Sequence, residues 1–494
     1  MNLYYFFLKK FSRKNKLIFD NLTYTYQDFK KKVYLVAFFL NKFKDKKKIL
    51  VITENSYHLG ILLLAISKIG KIIIPLNKDL KEKQILDQIS YISPEIIIYT
   101  KNFKNTVYKT KKSILINTED IFKNIKIKNN KDLSTEDYLD KNFIITFSSG
   151  TTSKPKPIIF TQGIKFERFK HIKRLYNVKK KDVILTSSPL DHSLGQRMFF
   201  LAILNGCSLI YLNKYNLKIW RKIIRKNKVA FTILPSNYLK LLKKDILNKK
   251  INIKKIVSAA SDISKNDKLS LKEKVNFNEM YGASEIGTIT NLKKNSPISK
   301  ISSVGKLLKE AKVKILDQNL NNMGLNKIGE IACKTQLSFK GYFKNKNLTK
   351  KSHANGFFLT GDLGYLDKDN YLYFISRKKD VIISSGLNIY PVDIEKEINT
   401  HQNVKESAVI GINDKFFGEV AYAVCVIKKE KKNFEIELRN YLSKRLANFQ
   451  QPLGYSFVKA LPKNPLGKIL KKDLKKNYNK KSLDLSKNLR ELLN

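Results

Sequence analysis

The chain reads as an α/β protein: a large N-terminal domain of layered, largely parallel sheets and helices, followed by a small α+β domain. Three observations predict this. Short runs rich in Ile and Val alternate with longer helical patterns, the signature of parallel sheets crossed by helices. The 494 residues exceed what one ordinary core supports, so two or more domains are expected. Beyond residues 376–380 an independent pattern of strands and helices begins and runs to the end.

Taken in order, segments 35–43 and 56–69 have helical length, while 49–53, 72–76, 96–99 and 143–147 are short and rich in Ile and Val, as strands are. The alternation repeats with strands at 183–187, 208–212 and 229–234 and helices at 196–204 and 217–226. The apolar run at the N-terminus is too short for a signal segment or membrane span, and 59–66 reads as a buried helix. An Asp-Asn turn and strand at 369–375 close a domain of residues 1–376. Residues 377–380 form a short charged linker, 381–494 the small C-terminal domain, and the Lys-rich tail beyond Lys475 a solvated helix or frayed end.

The formal charge of +54 first suggests nucleic acid or an anionic membrane surface. Composition argues otherwise. Of 96 basic residues ten are arginine and 86 lysine, spread along the chain, and Asn and Ile are abundant too, as an AT-rich coding sequence produces. A reader of nucleic acid favours arginine, whose planar fork suits phosphates and base edges. No specific nucleic-acid partner is therefore expected. Lysine is so frequent that a motif arginine such as Arg377 carries more information than Lys379 beside it. Cys207, Cys333 and Cys425 are far apart with no CxxC, which indicates neither a disulfide framework nor a zinc site and fits the reduced cytoplasm.

The segment 147–157, FSSGTTSKPKP, packs Ser148, Ser149, Thr151 and Thr152 around Gly150 and ends in Lys154 and Lys156. Hydroxyls and free N–H groups donate to phosphate oxygens, glycine allows close approach, and the lysines neutralise departing charge. Three segments follow in order: YGASE at 281–285, GFFLTGDLGYLDKDNYLYFISRKKDVIISSGLNIYPVDIEKEI at 356–398, and LPKNPLGKILKKDL at 461–474. In these residues the chain resembles the acyl-adenylate-forming superfamily of acyl- and aryl-CoA ligases, carrier-protein-loading adenylation domains and luciferases. The resemblance covers nearly the whole chain, from YTYQDF at 24–29 through ITENSYHLGILLLAISKIGKIIIPLN at 52–77 to Lys468.

The resemblance implies a two-step reaction: a carboxylate attacks the α-phosphorus of ATP to give an acyl-adenylate and pyrophosphate, and a thiol then takes the acyl group. Ser149, Gly150, Thr151, Thr152 and Lys156 match the phosphate loop, with Thr152 close to the chemistry, and Glu285 matches the Mg²⁺ ligand. Asp362 resembles the aspartate that accepts both ribose hydroxyls, and Arg377 the arginine that assists it. Tyr281, with Gly282 and Ser284, falls beside adenine, and Ala259, Ala260 and Ser261 on its other side. Lys468 matches the catalytic lysine of the mobile domain, Lys379 its hinge, and Gly386 and Leu387 the stretch presented to the pantetheine tunnel, where a side chain would obstruct.

The chain also departs from the family pattern. Ser153 and Pro157 stand where glycines are usual in the phosphate loop, and Ala259 and Ala260 replace a glycine pair near the acid pocket. Proline removes an N–H and pushes Lys156 toward an extended conformation, while the methyls narrow the pocket. In SPLDHSLGQR at 188–197, His192 matches the histidine of CoA ligases, and Asp191 an aspartate that pairs a substrate amine in amino-acid adenylation domains. His192 facing the pocket implies a fatty or aryl acid, Asp191 facing it an amino acid; Asp191 as a simple turn residue is the third alternative. The leading expectation is an AMP-forming acid:CoA ligase, placed in fatty acid metabolism, that uses ATP, Mg²⁺ and CoA. The alternative is a stand-alone adenylation enzyme that loads a carrier-protein phosphopantetheine. A non-enzymatic polyanion binder is a third class, distinguished by binding that collapses with salt.

Overall fold

The computed structural model describes residues 1–10, 14–110, 112–124, 136–148, 156–251, 253–260, 263–414, 417–464 and 467–479. Among these residues the strands form four sheets. In the first, the parallel strands Lys16–Phe19, Ser208–Tyr211, Val183–Thr186, Val229–Pro235, Lys255–Ala259 and Asn276–Ala283 lie side by side, with antiparallel neighbours at both edges. The second sets Asn142–Ser148, Ile72–Pro75, Lys48–Ile52, Ile96–Tyr99 and Ile114–Asn117 in parallel, and adds Lys156–Thr161 and Gly341–Tyr342 antiparallel. Each strand expected in the first half is present within a residue or two.

The largest core lies between these sheets. Ile49, Val51 and Ile73 of the second sheet and Leu209, Ile233 and Val257 of the first close on helices Tyr26–Asn41, Ser56–Lys68 and Ser193–Asn205. The all-apolar run Ile61–Leu62–Leu63–Leu64–Ala65–Ile66 is fully buried there because it has a sheet on either side. On the outer face of the first sheet, Leu217–Lys226 buries Trp220 and Ile224 and turns its basic residues to solvent.

Three features differ from expectation. The helix expected at 35–43 begins at Tyr26, where Thr25 accepts from the Asp28 N–H as its N-cap. Leu3–Lys10 is also helical, with Leu3, Tyr4 and Phe7 buried. The third sheet, Ala311–Leu316, Gly329–Thr335, His353–Ala354, Phe357–Leu366 and Leu372–Arg377, is antiparallel throughout. It ends at Arg377, one residue before the 3₁₀ turn Lys378–Asp380, and the fourth sheet opens at Ile382 around a core of its own. Cys207, Cys333 and Cys425 are free and buried. Among the described residues no helix is long and apolar enough to cross a membrane.

Candidate active site

Asn142–Ser148 and Lys156–Thr161 pair with Ser148 opposite Lys156, so the two ends of segment 149–155 are held side by side. Ser149, Gly150, Thr151 and Thr152 lie outside the described residues, as do Ser153, Lys154, Ser261 and Pro465. Lys156 is extended, as the proline after it requires. Its Nζ stands 5.7 Å from the centre of the Tyr342 ring, and the Tyr342 hydroxyl donates to Glu285 Oε1 at 3.1 Å. The cation at the end of the phosphate segment and the carboxylate of YGASE therefore converge through Tyr342, which no motif identified.

Glu285 sits in the turn between Asn276–Ala283 and Gly287–Leu292. A Cβ on Gly282 would come 1.8 Å from the Gly287 carbonyl oxygen, so only glycine permits this turn to close. Beneath it lies Arg168, a residue with no motif around it. Its Nε donates to the Leu337 carbonyl at 2.8 Å, Nη1 to that of Ser284 at 3.0 Å and Nη2 to that of Glu285 at 2.9 Å. These bonds fix the backbone and leave the Glu285 carboxylate available. Mg²⁺ is commonly held by one or two carboxylates with phosphates and water. Glu285 fits that role, and among the described residues no cluster of three acidic, His or Cys residues forms an all-protein cage.

Asp362 and Arg377 face each other across paired strands. Arg377 Nη1 lies 2.7 Å from Asp362 Oδ1, and the Tyr281 hydroxyl donates to Oδ2 at 2.5 Å. Asp362 is only 3% exposed. Burial pushes its carboxyl above the ordinary range, opposed by Arg377 and the Tyr281 hydroxyl. Tyr281 thus holds the aspartate through its hydroxyl, in addition to the ring expected beside adenine. Glu330 braces the same corner, accepting from the Gly361 N–H at 3.2 Å and from Lys378 Nζ at 2.7 Å. Ala259 is buried at its strand end, and Ala260 is exposed with φ +70°, the left-handed conformation that glycine adopts freely and alanine does not.

Lys468 lies in a turn closed by a bridge between Lys463 and Ile469, its N–H donating to Asn464 Oδ1 at 2.9 Å. Burial, then the nearby Arg377, pushes its ammonium down to about 8, with Asp362 and Asp380 opposing. The fold therefore brings the PLGK lysine to the Asp362–Arg377 corner. Gly386 is placed differently. It follows Ser385 in a two-residue hairpin turn, both with positive φ, and nothing lies within 4 Å of where its Cβ would be. Its glycine is explained here by turn geometry and not by obstruction.

His192 caps the helix Ser193–Asn205, and its Nε2 lies 3.4 Å from Asp191 Oδ2. Both side chains are half-buried and face each other, so neither of the two substrate alternatives is selected by orientation alone. The same helix carries Gln196, whose amide donates to Thr146 Oγ1 at 3.0 Å and to the Leu190 carbonyl at 3.0 Å, and whose oxygen accepts from Lys165 Nζ at 2.6 Å. The next residue, Arg197, donates to Thr288 Oγ1 at 3.1 Å, and Thr288 pairs in register with Gly282. Among the described residues Lys165, Arg168 and Arg197 make no ion pair. Burial lowers all three, Arg168 to about 9 and Arg197 to about 10, and each of Lys165 and Arg168 is lowered further by its cationic neighbours, with Glu285 opposing at Arg168. A net positive, poorly solvated region thus adjoins the YGASE turn.

The sequence matches the AMP-binding enzyme family over residues 7–343 and the AMP-binding enzyme C-terminal domain over residues 393–468. It is 28% identical over 477 residues to a 2-succinylbenzoate–CoA ligase of Listeria monocytogenes, covering 95% of this chain and 97% of that one. A 2-succinylbenzoate–CoA ligase of Bacillus licheniformis is 30% identical over 342 residues, 68% of this chain and 70% of the relative. In fold the chain is similar to O-succinylbenzoate coenzyme A synthetase from Bacillus subtilis in complex with ATP and magnesium, with a TM-score of 0.86 and 23% identity over 96% of this chain and 99% of that one. The chain belongs to the AMP-binding enzyme family and is an ATP-dependent, AMP-forming ligase.

Proposed function

We propose that this member of the AMP-binding enzyme family joins CoA to an aryl acid that carries a second carboxylate, the class to which 2-succinylbenzoate belongs. One observation carries the substrate class: Arg197, half-buried beside the YGASE turn, donates to Thr288 Oγ1 and to the Met280 sulfur and has no carboxylate within hydrogen-bond reach among the described residues. A desolvated cation of that kind is costly unless an anion completes it. A carboxylate distant from the reacting one supplies the missing charge and orients the substrate. A fatty acid offers only methylenes there, and a substrate amine would be repelled. The names of the relatives support the same class and favour CoA over a carrier protein as the acceptor.

In this reading the reacting carboxylate oxygen attacks the α-phosphorus of ATP, and the bond from that phosphorus to the bridging oxygen breaks to release pyrophosphate. Asp362, aligned by Tyr281 and Arg377, accepts the ribose hydroxyls. Lys156 and Lys468 neutralise charge at the two ends of the triphosphate, and Ser149, Gly150, Thr151 and Thr152 supply donors along it. Glu285 would hold Mg²⁺, which lowers the charge repulsion between phosphates and attacking carboxylate. The small domain, 381–494, then turns about residues 377–380, Lys468 leaves, and the thiol sulfur attacks the acyl carbon as AMP departs. Gly386 and Leu387 line the thiol's approach and His192 the acyl group. The three buried thiols support a reducing, cytoplasmic setting.

The test is ATP–pyrophosphate exchange followed by CoA thioester formation across benzoate, 2-succinylbenzoate, medium-chain fatty acids and amino acids. Exchange and thioester with 2-succinylbenzoate, and little with benzoate, is the expected result. A preference for monocarboxylic fatty acids would overturn the substrate class, and exchange without any CoA thioester would overturn the acceptor.

A further inference from the structure

The turn bearing Lys468 rests on the large domain against Asn237. This residue lies in the first turn of helix Ser236–Leu247, which follows the strand Val229–Pro235 directly. A Cβ built on Gly467 would lie 1.8 Å from Asn237 Nδ2, 2.6 Å from Cγ and 2.9 Å from Oδ1, so the amide lies across the glycine Cα with no room for another atom. Gly467 has φ +76°, which an L side chain rarely adopts. Asn237 Oδ1 is buried and accepts no hydrogen bond among the described residues, so the amide is kept at this spot against a desolvation cost.

We infer that Asn237 is a positioning residue: its amide is the seat on which the Lys468 turn stops when the small domain closes for adenylate formation. The inference rests on the reading of Lys468 as the lysine of that step. Gly467 precedes Lys468, so the depth at which its Cα settles on the amide sets how far the lysine reaches toward the α-phosphate. A misplacement of about 1 Å in such a constellation costs on the order of 100-fold in rate. The contact joins the two domains, so it exists only while they are closed in this arrangement. Its loss should weigh on adenylate formation and spare thiol transfer.

The experiment is a double-mutant cycle read in both half-reactions: ATP–pyrophosphate exchange, and thioester formation from supplied acyl-adenylate. Gly467→Ala is expected to lower exchange on the order of 100-fold and leave thioester formation near that of the unaltered enzyme, which also shows that the variant is folded. Asn237→Gly alone is expected to lower the exchange kcat by about tenfold, and Gly467→Ala with Asn237→Gly to recover about tenfold over Gly467→Ala, because the obstructing amide is gone. A double variant no better than Gly467→Ala, or equal losses in both half-reactions, overturns the seat. Lys468→Ala separates the underlying reading: exchange retained in that variant overturns the role of the lysine itself, and the seat with it.

Discussion

Around Asp362 the buried carboxylate has Arg377 at 2.7 Å and the Tyr281 hydroxyl at 2.5 Å, whereas at the second corner Lys165 and Arg168 are buried and Arg197 half-buried, with neutral groups as their hydrogen-bond partners. The first balances its own charge and presents a fixed acceptor, which suits the neutral hydroxyls of a sugar. The second leaves charge uncompensated, which suits an anion. A buried ion without a partner costs several kcal/mol, so the imbalance persists only where a ligand completes it or function demands it. On the proposed reading, the degree of internal pairing separates a subsite for a neutral group from one for a charged group within one site.

The largest expected effect tests the paired corner. Asp362→Ala strands Arg377 and removes the partner of Tyr281, so denaturant unfolding should show a loss of about 2–3 kcal/mol, and ATP–pyrophosphate exchange should disappear. Unchanged stability would mean that the corner is not paired as described. Arg197→Met should act in the opposite sense on stability. Removing an unpaired cation does not lower the unfolding free energy, yet kcat/KM for the dicarboxylic acid should fall on the order of 100-fold, mostly through KM. Equal losses with benzoate and with 2-succinylbenzoate would break the contrast between the corners.

A smaller effect concerns the cation between them. Lys468 is pushed below its ordinary value to about 8, so its charged form is present below that pH and is lost as pH rises through it. For adenylate formation kcat/KM for ATP, which reports the free enzyme, should decline with an apparent pKa near 8. Lys468→Arg should abolish that decline in whatever activity remains. The smallest effect is local: Ala260→Gly should raise the unfolding free energy by about 0.5–1 kcal/mol, because φ +70° is strained for alanine and free for glycine. A loss of stability would show that the methyl packs usefully on the site.

Much of the fold was legible because its signals are local. The Ile- and Val-rich strands and the all-apolar helix Ser56–Lys68 stood out by periodicity. The start of Tyr26–Asn41 was misplaced because its first turns are polar, with Lys30, Lys31 and Lys32 in succession, and only the Thr25–Asp28 cap marks the true beginning. The antiparallel third sheet was largely missed since its strands interrupt apolar residues with glycine, polar and charged ones around short turns, a weak signal beside long apolar runs. In the site, YGASE, TGD and PLGK lead to Glu285, Asp362 and Lys468, which the fold places where Tyr281, Arg377 and Tyr342 meet them. Arg168 and Arg197 were not singled out, although Arg197 ends the segment SPLDHSLGQR, and Asn237 has no motif around it. The scarcity of arginine in so lysine-rich a chain was the available pointer to the first two.

The sequence by itself determined the alternation of strands and helices, the glycines that its turns demand, the phosphate-loop composition and the chemical class. All of these rest on residue type and short-range spacing. Tertiary structure alone decided that the Tyr281 hydroxyl reaches Asp362 81 residues away, and that Arg168 holds the backbone of Ser284 and Glu285. It also decided that Asp191 and His192 face each other and that three cations share one desolvated region. These depend on which surfaces pack together and which charges lose water, and neither packing nor desolvation is encoded in the spacing of neighbours along the chain.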